Sequence, residues 1–159
     1  MSVRPEKEAG FSLVELIITM ALLAMMVSIA IPAFMNYRQN ANLKSAVREI
    51  TSDVFLARER SLAENRRYRI AFSVADNNYV IEQGTSSGAP YTGIETKSMA
   101  SFGSGVRLTA AAFGGDSAIV FQTRGTTEPG SVSLVNDRAS AATVTTNLAG
   151  RTYVQYALQ

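Results

Sequence analysis

The chain has 159 residues, a length typical of one compact domain, and it contains no His, Cys or Trp. The lack of His and Cys excludes Ser–His–Asp triads, Cys–His nucleophile pairs, disulfides and zinc sites built from thiolate or imidazole. The net charge is only +2, from 15 basic and 13 acidic residues, so the composition does not indicate a strongly basic nucleic-acid-binding protein.

A long uncharged apolar segment follows ten polar residues at the N-terminus. Residues 16–37 contain no Asp, Glu, Lys or Arg. As a helix, Leu16–Met35 would span about 30 Å, the thickness of the hydrocarbon core of a bilayer. Basic residues flank the segment on both sides, so the positive-inside rule does not fix its orientation. These residues are Arg4 and Lys7 before it, and Arg38, Lys44 and Arg48 after it.

These observations leave four interpretations of the segment open. The four are a buried helix of a soluble domain, a secretory signal peptide, a permanent single-span anchor, and an anchor in which Glu15 has a function. Ser28-Ile29-Ala30 has small residues spaced as at a signal-peptidase site. Glu15 lies at the start of the apolar segment, where an unpaired carboxylate is costly unless it stays at the headgroup level.

The residues Gly10-Phe11-Ser12-Leu13-Val14-Glu15-Leu16, followed by the apolar segment and Pro32, resemble the signal of type IV prepilins and type II secretion pseudopilins. The resemblance implies that a prepilin peptidase cleaves after Gly10 and that Phe11, the new N-terminal residue, is N-methylated. It also implies that Glu15 pairs with the N-terminal amine of a neighbouring subunit. A carboxylate one helical turn along can neutralise such an amine where no water is present.

The helical pattern continues beyond the apolar segment with a different character. An apolar stripe recurs at alternating spacings of four and three residues, and charged residues are expected on the other faces. We therefore predict one helix from Ser12 to Glu64, bent near Pro32 because proline removes a backbone hydrogen bond. Its first part, 11–35, is the transmembrane or assembly helix, and 36–64 is an amphipathic stalk. The stripe is Leu43, Val47, Ile50, Val54 and Ala57, and the charged residues are Lys44, Arg48, Glu49, Asp53, Arg58 and Glu59.

After Asn65 the apolar period changes from that of a helix to that of a strand. The pattern predicts a hairpin at 67–83 around the turn Asp76-Asn77-Asn78, and a Gly/Ser/Thr-rich loop at 84–96. Further strands are expected at 105–110, 118–122, 131–135, 141–146 and 151–157. The predicted fold class is α+β: a long N-terminal α-helix packed on a C-terminal antiparallel β head, residues 65–159, in the lollipop form of pilins.

The C-terminal half carries a second resemblance, to the GspH/FimT family of minor pilins and minor pseudopilins. The residues that carry it are Ala118-Ile119-Val120-Phe121, Gly125, Gly130-Ser131-Val132-Ser133-Leu134, Val144 and Gly150-Arg151. DNA-binding members resemble one another in a Gly-Arg-x-Arg sequence. Here Tyr153 stands at the position of the second Arg, which weakens a role in DNA uptake.

Candidate chemistry is sparse. The head's acidic residues lie in or near predicted turns, and no phosphate-binding loop is present, so we expect no catalytic residues, cofactor or metal. These acids are Asp76, Glu82, Glu95, Asp116, Glu128 and Asp137.

Basic residues around the end of the helix offer phosphate contacts, with Tyr68 as a base-stacking residue. A solvated helix end is the favoured interpretation, because basic residues also suit the helix dipole there. The cluster consists of Arg58, Arg60, Arg66, Arg67 and Arg69, and Arg151 is a further candidate for nucleic-acid contact.

The sequence thus predicts a minor pilin-like structural subunit rather than an enzyme, assembled into a type IV pilus, towards which Pro32 tilts the choice weakly. The alternatives are a minor pseudopilin of the type II secretion system and a DNA-binding minor pilin for natural transformation. A periplasmic enzyme would require processing near Ala30. Expected partners are other pilin or pseudopilin subunits, the prepilin peptidase, the inner-membrane assembly platform and the membrane, with DNA less favoured. The expected location is the bacterial inner membrane, single-pass with a periplasmic head, and then the filament.

Overall fold

The computed structural model describes residues 11–103 and 105–159. Within them lie one long helix, α1 (Leu13–Glu64), eight β-strands and a short 3-10 helix at Met99–Phe102. The chain divides into two units between Asn36 and Tyr37. The predicted helix is therefore confirmed, and Pro32 lies inside it. The bend at Pro32 stays a prediction.

In the first unit, α1 begins at a serine cap and is exposed along its whole length. The Ser12 hydroxyl oxygen accepts a hydrogen bond from the Glu15 backbone N–H at 3.1 Å, which satisfies one of the free donors of the first turn. The hydroxyls of Thr19 and Ser28 donate to carbonyl oxygens three residues earlier, at 2.8 and 2.7 Å. These polar groups are thus satisfied within the helix and need no water.

In the second unit, the predicted apolar stripe is buried as expected. Leu43, Val47, Ile50 and Val54 are fully buried, and Ala46 joins them between the predicted positions. Asp53 was expected on a solvated face and is instead buried. That expectation was wrong because two residues of the β head, Tyr79 and Lys97, hydrogen bond to its carboxylate.

The strands form two four-stranded sheets in which every pairing is antiparallel. The first has the order β3-β2-β1-β5, and the second has the order β4-β6-β7-β8. The strands are β1 (Tyr68–Ser73), β2 (Asn78–Gln83), β3 (Thr92–Ser98), β4 (Arg107–Phe113), β5 (Ala118–Phe121), β6 (Gly130–Val135), β7 (Ala141–Thr146) and β8 (Thr152–Ala157).

The core lies between the packed half of α1 and the two sheets. Ile70 of β1 stands opposite Ile81 and Ile119 in the register of its two neighbours, and all three are buried. Phe72 of β1 stacks on Phe113 of β4 with ring centroids 6.0 Å apart, so the core is continuous between the sheets.

The turn of the predicted hairpin also links the two sheets. Asn77 has a left-handed φ of 52°, which Asn tolerates better than most residues. Its side-chain oxygen accepts from the Leu108 N–H at 2.8 Å, and its amide donates to the Val106 carbonyl at 2.9 Å. The turn predicted from the sequence therefore also connects the first sheet to the second through the Asn77 side chain.

Two strand predictions need correction. Residues 84–96 were expected to be a loop, but β3 begins at Thr92 and pairs with β2. This edge strand is exposed along most of its length, so its sequence carries no alternating apolar signal. Similarly, the strand expected at 105–110 runs from Arg107 to Phe113, with an irregularity in its register between Leu108 and Ala110.

Candidate functional site

The predicted processing site lies at the start of α1. Gly10 is outside the described residues, whereas Phe11 is described and is 82% exposed. Glu15 lies in the first turn of the helix. Ser12 and Glu15 match the Ser-x-x-Glu pattern of a capping box, a pattern that the sequence analysis missed. The contact between them is the Glu15 backbone N–H donating to the Ser12 hydroxyl oxygen, so a substitution of the Glu15 side chain keeps this cap.

The apolar half of α1 presents a continuous exposed surface. Every residue from Phe11 to Arg38 is exposed in the isolated chain. Among the described residues, α1 is the one helix long and apolar enough to cross a membrane, and its apolar window is not buried within the protein. Such a surface requires a bilayer or other apolar helices to cover it.

The arginines proposed to contact nucleic acid line three different surface cavities. Arg66 lines one surface cavity, Arg67 and Arg69 line a second, and Arg151 lines a third with Arg58.

Arg69 of the predicted basic cluster and the neighbouring Tyr68 are already engaged within the protein. Arg69 forms a salt bridge with Glu82 and lies 4.3 Å from the centroid of the Tyr91 ring, and the hydrogen bond to Glu82 raises the pKa of Arg69. Tyr68 is buried, and its hydroxyl donates to Glu64 at 2.7 Å. Burial and this hydrogen bond raise the pKa of Tyr68 to about 12. The prediction that Tyr68 stacks on a base was therefore wrong.

A charged cluster joins α1 to the first sheet. The Lys97 ammonium donates to Glu49 at 2.6 Å and to both carboxylate oxygens of Asp53 at 2.9 Å, and the Tyr79 hydroxyl donates to Asp53 at 2.5 Å. Burial opposes the charge on Lys97, but the hydrogen bonds to Glu49 and Asp53 outweigh it and raise its pKa. Burial and the Asp53 contact raise the pKa of Tyr79. The cluster therefore fixes α1 on β2 and β3.

Several acids of the head have local partners, whereas Asp116 and Glu128 line one surface cavity together with Arg67 and Arg69. Asp76 accepts from Ser73 at 2.7 Å, and Asp137 pairs with Arg107 at 3.1 Å. Within residues 11–103 and 105–159, no group of three or more His, Cys, Asp or Glu is placed to hold a metal ion.

Comparison with known protein families identifies the chain. The model of the type II transport protein GspH matches residues 46–150, more than half of the chain. The chain belongs to the GspH family. The prokaryotic N-terminal methylation motif matches residues 6–31 of this GspH-family protein. Comparison with curated protein sequences gave no match.

Solved structures show the same fold at low sequence identity. The minor pseudopilin EpsH of the Vibrio cholerae type 2 secretion system is 11% identical, with a TM-score of 0.59, covering 72% of this chain and 97% of that one. The type IV minor pilin FimU of Pseudomonas aeruginosa is 15% identical, with a TM-score of 0.53, covering 71% and 92%. The family and the fold are those of pilin-type structural subunits, not of enzymes.

Proposed function

We propose that this chain is a minor subunit of a pilin-type filament, processed by a prepilin peptidase between Gly10 and Phe11 and N-methylated at Phe11. The apolar half of α1 holds it in the bacterial inner membrane with the head in the periplasm, and an assembly platform then moves it into the filament. The observation that carries the proposal is the methylation motif at 6–31, directly before and within an exposed apolar helix.

The type II secretion pseudopilus is the machine that the comparisons favour. The sequence alone favoured a type IV pilus on the weak indication of Pro32. The GspH family model and the EpsH fold support a minor pseudopilin as the first candidate, and the FimU fold supports a type IV minor pilin as the second. The head would stand outside a core of packed N-terminal helices in either filament.

Glu15 supplies the charge that assembly requires. Cleavage leaves an amine on Phe11, and among packed apolar helices this amine has no water to solvate it. Glu15 is the sole acidic residue between the cleavage site and Glu49, so no other acid on this segment can replace it. The Ser12 cap holds the first turn in helical form, which positions the carboxylate relative to the new N-terminus.

Gene deletion separates the two machines. In a bacterium that encodes this chain, loss of exoprotein secretion with normal surface pili supports the pseudopilus, and loss of pili with normal secretion supports the type IV pilus. Complementation with the wild-type chain is the control. If both phenotypes stay at wild-type level and the protein is absent from sheared filaments, the proposal is wrong.

A DNA-binding function receives no support from the site geometry. Tyr68 is buried, Arg69 is paired with Glu82, and Tyr153 replaces the second arginine of the Gly-Arg-x-Arg sequence.

A further inference from the structure

A surface groove of about 440 Å³ lies between α1 and β8, and the sequence analysis did not foresee it. Helix α1 contributes Phe55 and Arg58, which are three residues apart and so share a helix face. The other wall is Arg151, which directly precedes β8, together with Tyr153 within it. Each wall thus supplies one aromatic ring and one guanidinium; we call this site the Phe55 groove.

Arg58 is short of a hydrogen-bond partner in this groove. Its Nε is buried and has no partner among the described residues, while its Nη1 lies 3.1 Å from Glu59. A buried donor without an acceptor is costly, so the hydrogen-bonding capacity of this guanidinium is incompletely used within the protein. The turn at Gly150 brings the backbone against this side chain. A Cβ at Gly150 would lie 2.8 Å from Arg58 Cδ, and the φ of +71° also favours glycine.

The aromatic residues of the groove are unusually open for their size. Phe55 is 62% exposed and Tyr153 is 54% exposed. Exposed aromatic and arginine side chains together are typical of the centre of protein interfaces. In addition, β8 is an edge strand of its sheet, so the groove lies on a border of the head that a second protein can cover.

We propose that the Phe55 groove docks a segment of a neighbouring pilin-family subunit that presents an Asp or Glu carboxylate beside an apolar side chain. This inference rests on the proposed function, because it assumes that the chain assembles with other subunits. The two guanidiniums provide charge complementarity, and the exposed part of the Arg58 guanidinium, whose side chain is 30% exposed, and the fork of Arg151 provide donors for a carboxylate. A nucleic acid fits less well, because the other arginines line separate cavities and Glu59 lies beside Arg58.

Site-directed photo-crosslinking in the assembled filament tests this proposal. The photoreactive amino acid p-benzoylphenylalanine is placed at Phe55 or Tyr153 of the full chain in its own bacterium, with Ile94 as the control position. All three side chains are 47–62% exposed, so the substitutions spare the core. We expect positions 55 and 153 to crosslink to one pilin-family subunit, in a peptide that contains Asp or Glu, and we expect no crosslink from position 94 to that peptide.

The charge contribution is tested by Arg151→Gln, with Arg66→Gln as the charge-matched control in another cavity. We expect Arg151→Gln to lower the crosslink yield about tenfold, equivalent to about 1.4 kcal/mol, and Arg66→Gln to leave it unchanged. Crosslinks to nucleic acid, or a yield that neither substitution changes, would overturn the proposal. If the chain is in the filament but positions 55 and 153 give no crosslink to a pilin-family subunit, the proposed docking in the Phe55 groove is wrong and the proposed function stands. If the wild-type chain is absent from the filament, both fail.

Discussion

Removing the ammonium of Lys97 should destabilise the head strongly. Lys97→Met keeps the length of the side chain but leaves the carboxylate of Asp53 without its cation. That carboxylate is 7% exposed, and its remaining hydrogen bond comes from the Tyr79 hydroxyl. Breaking a buried ion pair by removal of one partner costs about 3–5 kcal/mol, because the other charge stays desolvated. The lower part of this range is expected, because Glu49 is 43% exposed and retains solvent.

The matched control is Arg107→Met. Arg107 pairs with Asp137 at a similar distance, 3.1 Å, but the two side chains are 58% and 47% exposed. An exposed pair of this kind contributes at most about 1 kcal/mol. Both variants thus lose one cation from an ion pair and differ in the burial of the acid that remains.

The assay is urea denaturation of a truncated protein without residues 1–32, in which the core of residues 37–159 is complete. Equal m values would show that the variants expose the same surface area on unfolding. The shift in the urea midpoint then measures the change in stability. The double variant Asp53→Leu/Lys97→Met should be more stable than Lys97→Met, because no buried charge remains in it. If Lys97→Met lowers the free energy of unfolding no more than Arg107→Met does, loss of the ammonium does not leave a costly desolvated charge on Asp53. The expected destabilisation is then refuted.

Four further outcomes are expected. Mass spectrometry of the membrane-extracted protein should give N-methyl-Phe11 as the first residue, and a chain beginning at Ile31 would instead support an ordinary signal peptide. Glu15→Gln removes the charge but keeps the size of the side chain, so it should be cleaved normally yet be depleted from sheared filaments; incorporation equal to wild type would show that assembly does not need the charge of Glu15. Truncated protein without residues 1–32 should be soluble with mixed α and β circular dichroism, and Ile50→Asp should unfold it, because an unpaired charge would enter the core. Tyr79 and Lys97 hold their protons more tightly in the folded state than their ordinary pKa values of 10.0 and 10.5 require. Their contribution to the free energy of unfolding should therefore be constant below about pH 9 and fall as the pH rises through 10.0 and 10.5 and above; a titration that is flat to pH 11.5 would contradict this.

The helix and most strands were predictable because burial leaves a periodic pattern in the sequence. The four- and three-residue spacing from Leu43 to Ala57 placed the packed face of α1 correctly, and β7 (Ala141–Thr146) was predicted with its observed bounds. In contrast, β3 (Thr92–Ser98) was missed because an exposed edge strand needs no apolar alternation. The order of the strands was also out of reach, because a period of two defines faces and not neighbours.

The sequence supports site predictions only where the signal lies in consecutive residues. The segment from Gly10 to Leu16 predicts the processing site and the role of Glu15, and both stay predictions. The partners of Asp53 could not be found, because Lys97 lies 44 residues further along the chain and nothing local connects them. The Phe55 groove was invisible for the same reason, since its two walls are joined only by the fold.

The Asn40 side chain links α1 to two C-terminal parts of the head, and this affects how the head would respond to a mechanical force. Its side-chain oxygen accepts from the Asn136 amide and the Ser140 hydroxyl, both at 2.9 Å, and its amide donates to the Gln159 carbonyl at 3.2 Å. The stretch after β8 is thus clamped to the same turn of α1 that leads into the head. A tensile force transmitted along α1 would enter the first and last segments of the head together. Because the stretch after β8 is tied to α1, β8 would not be a free end from which the second sheet opens one strand at a time.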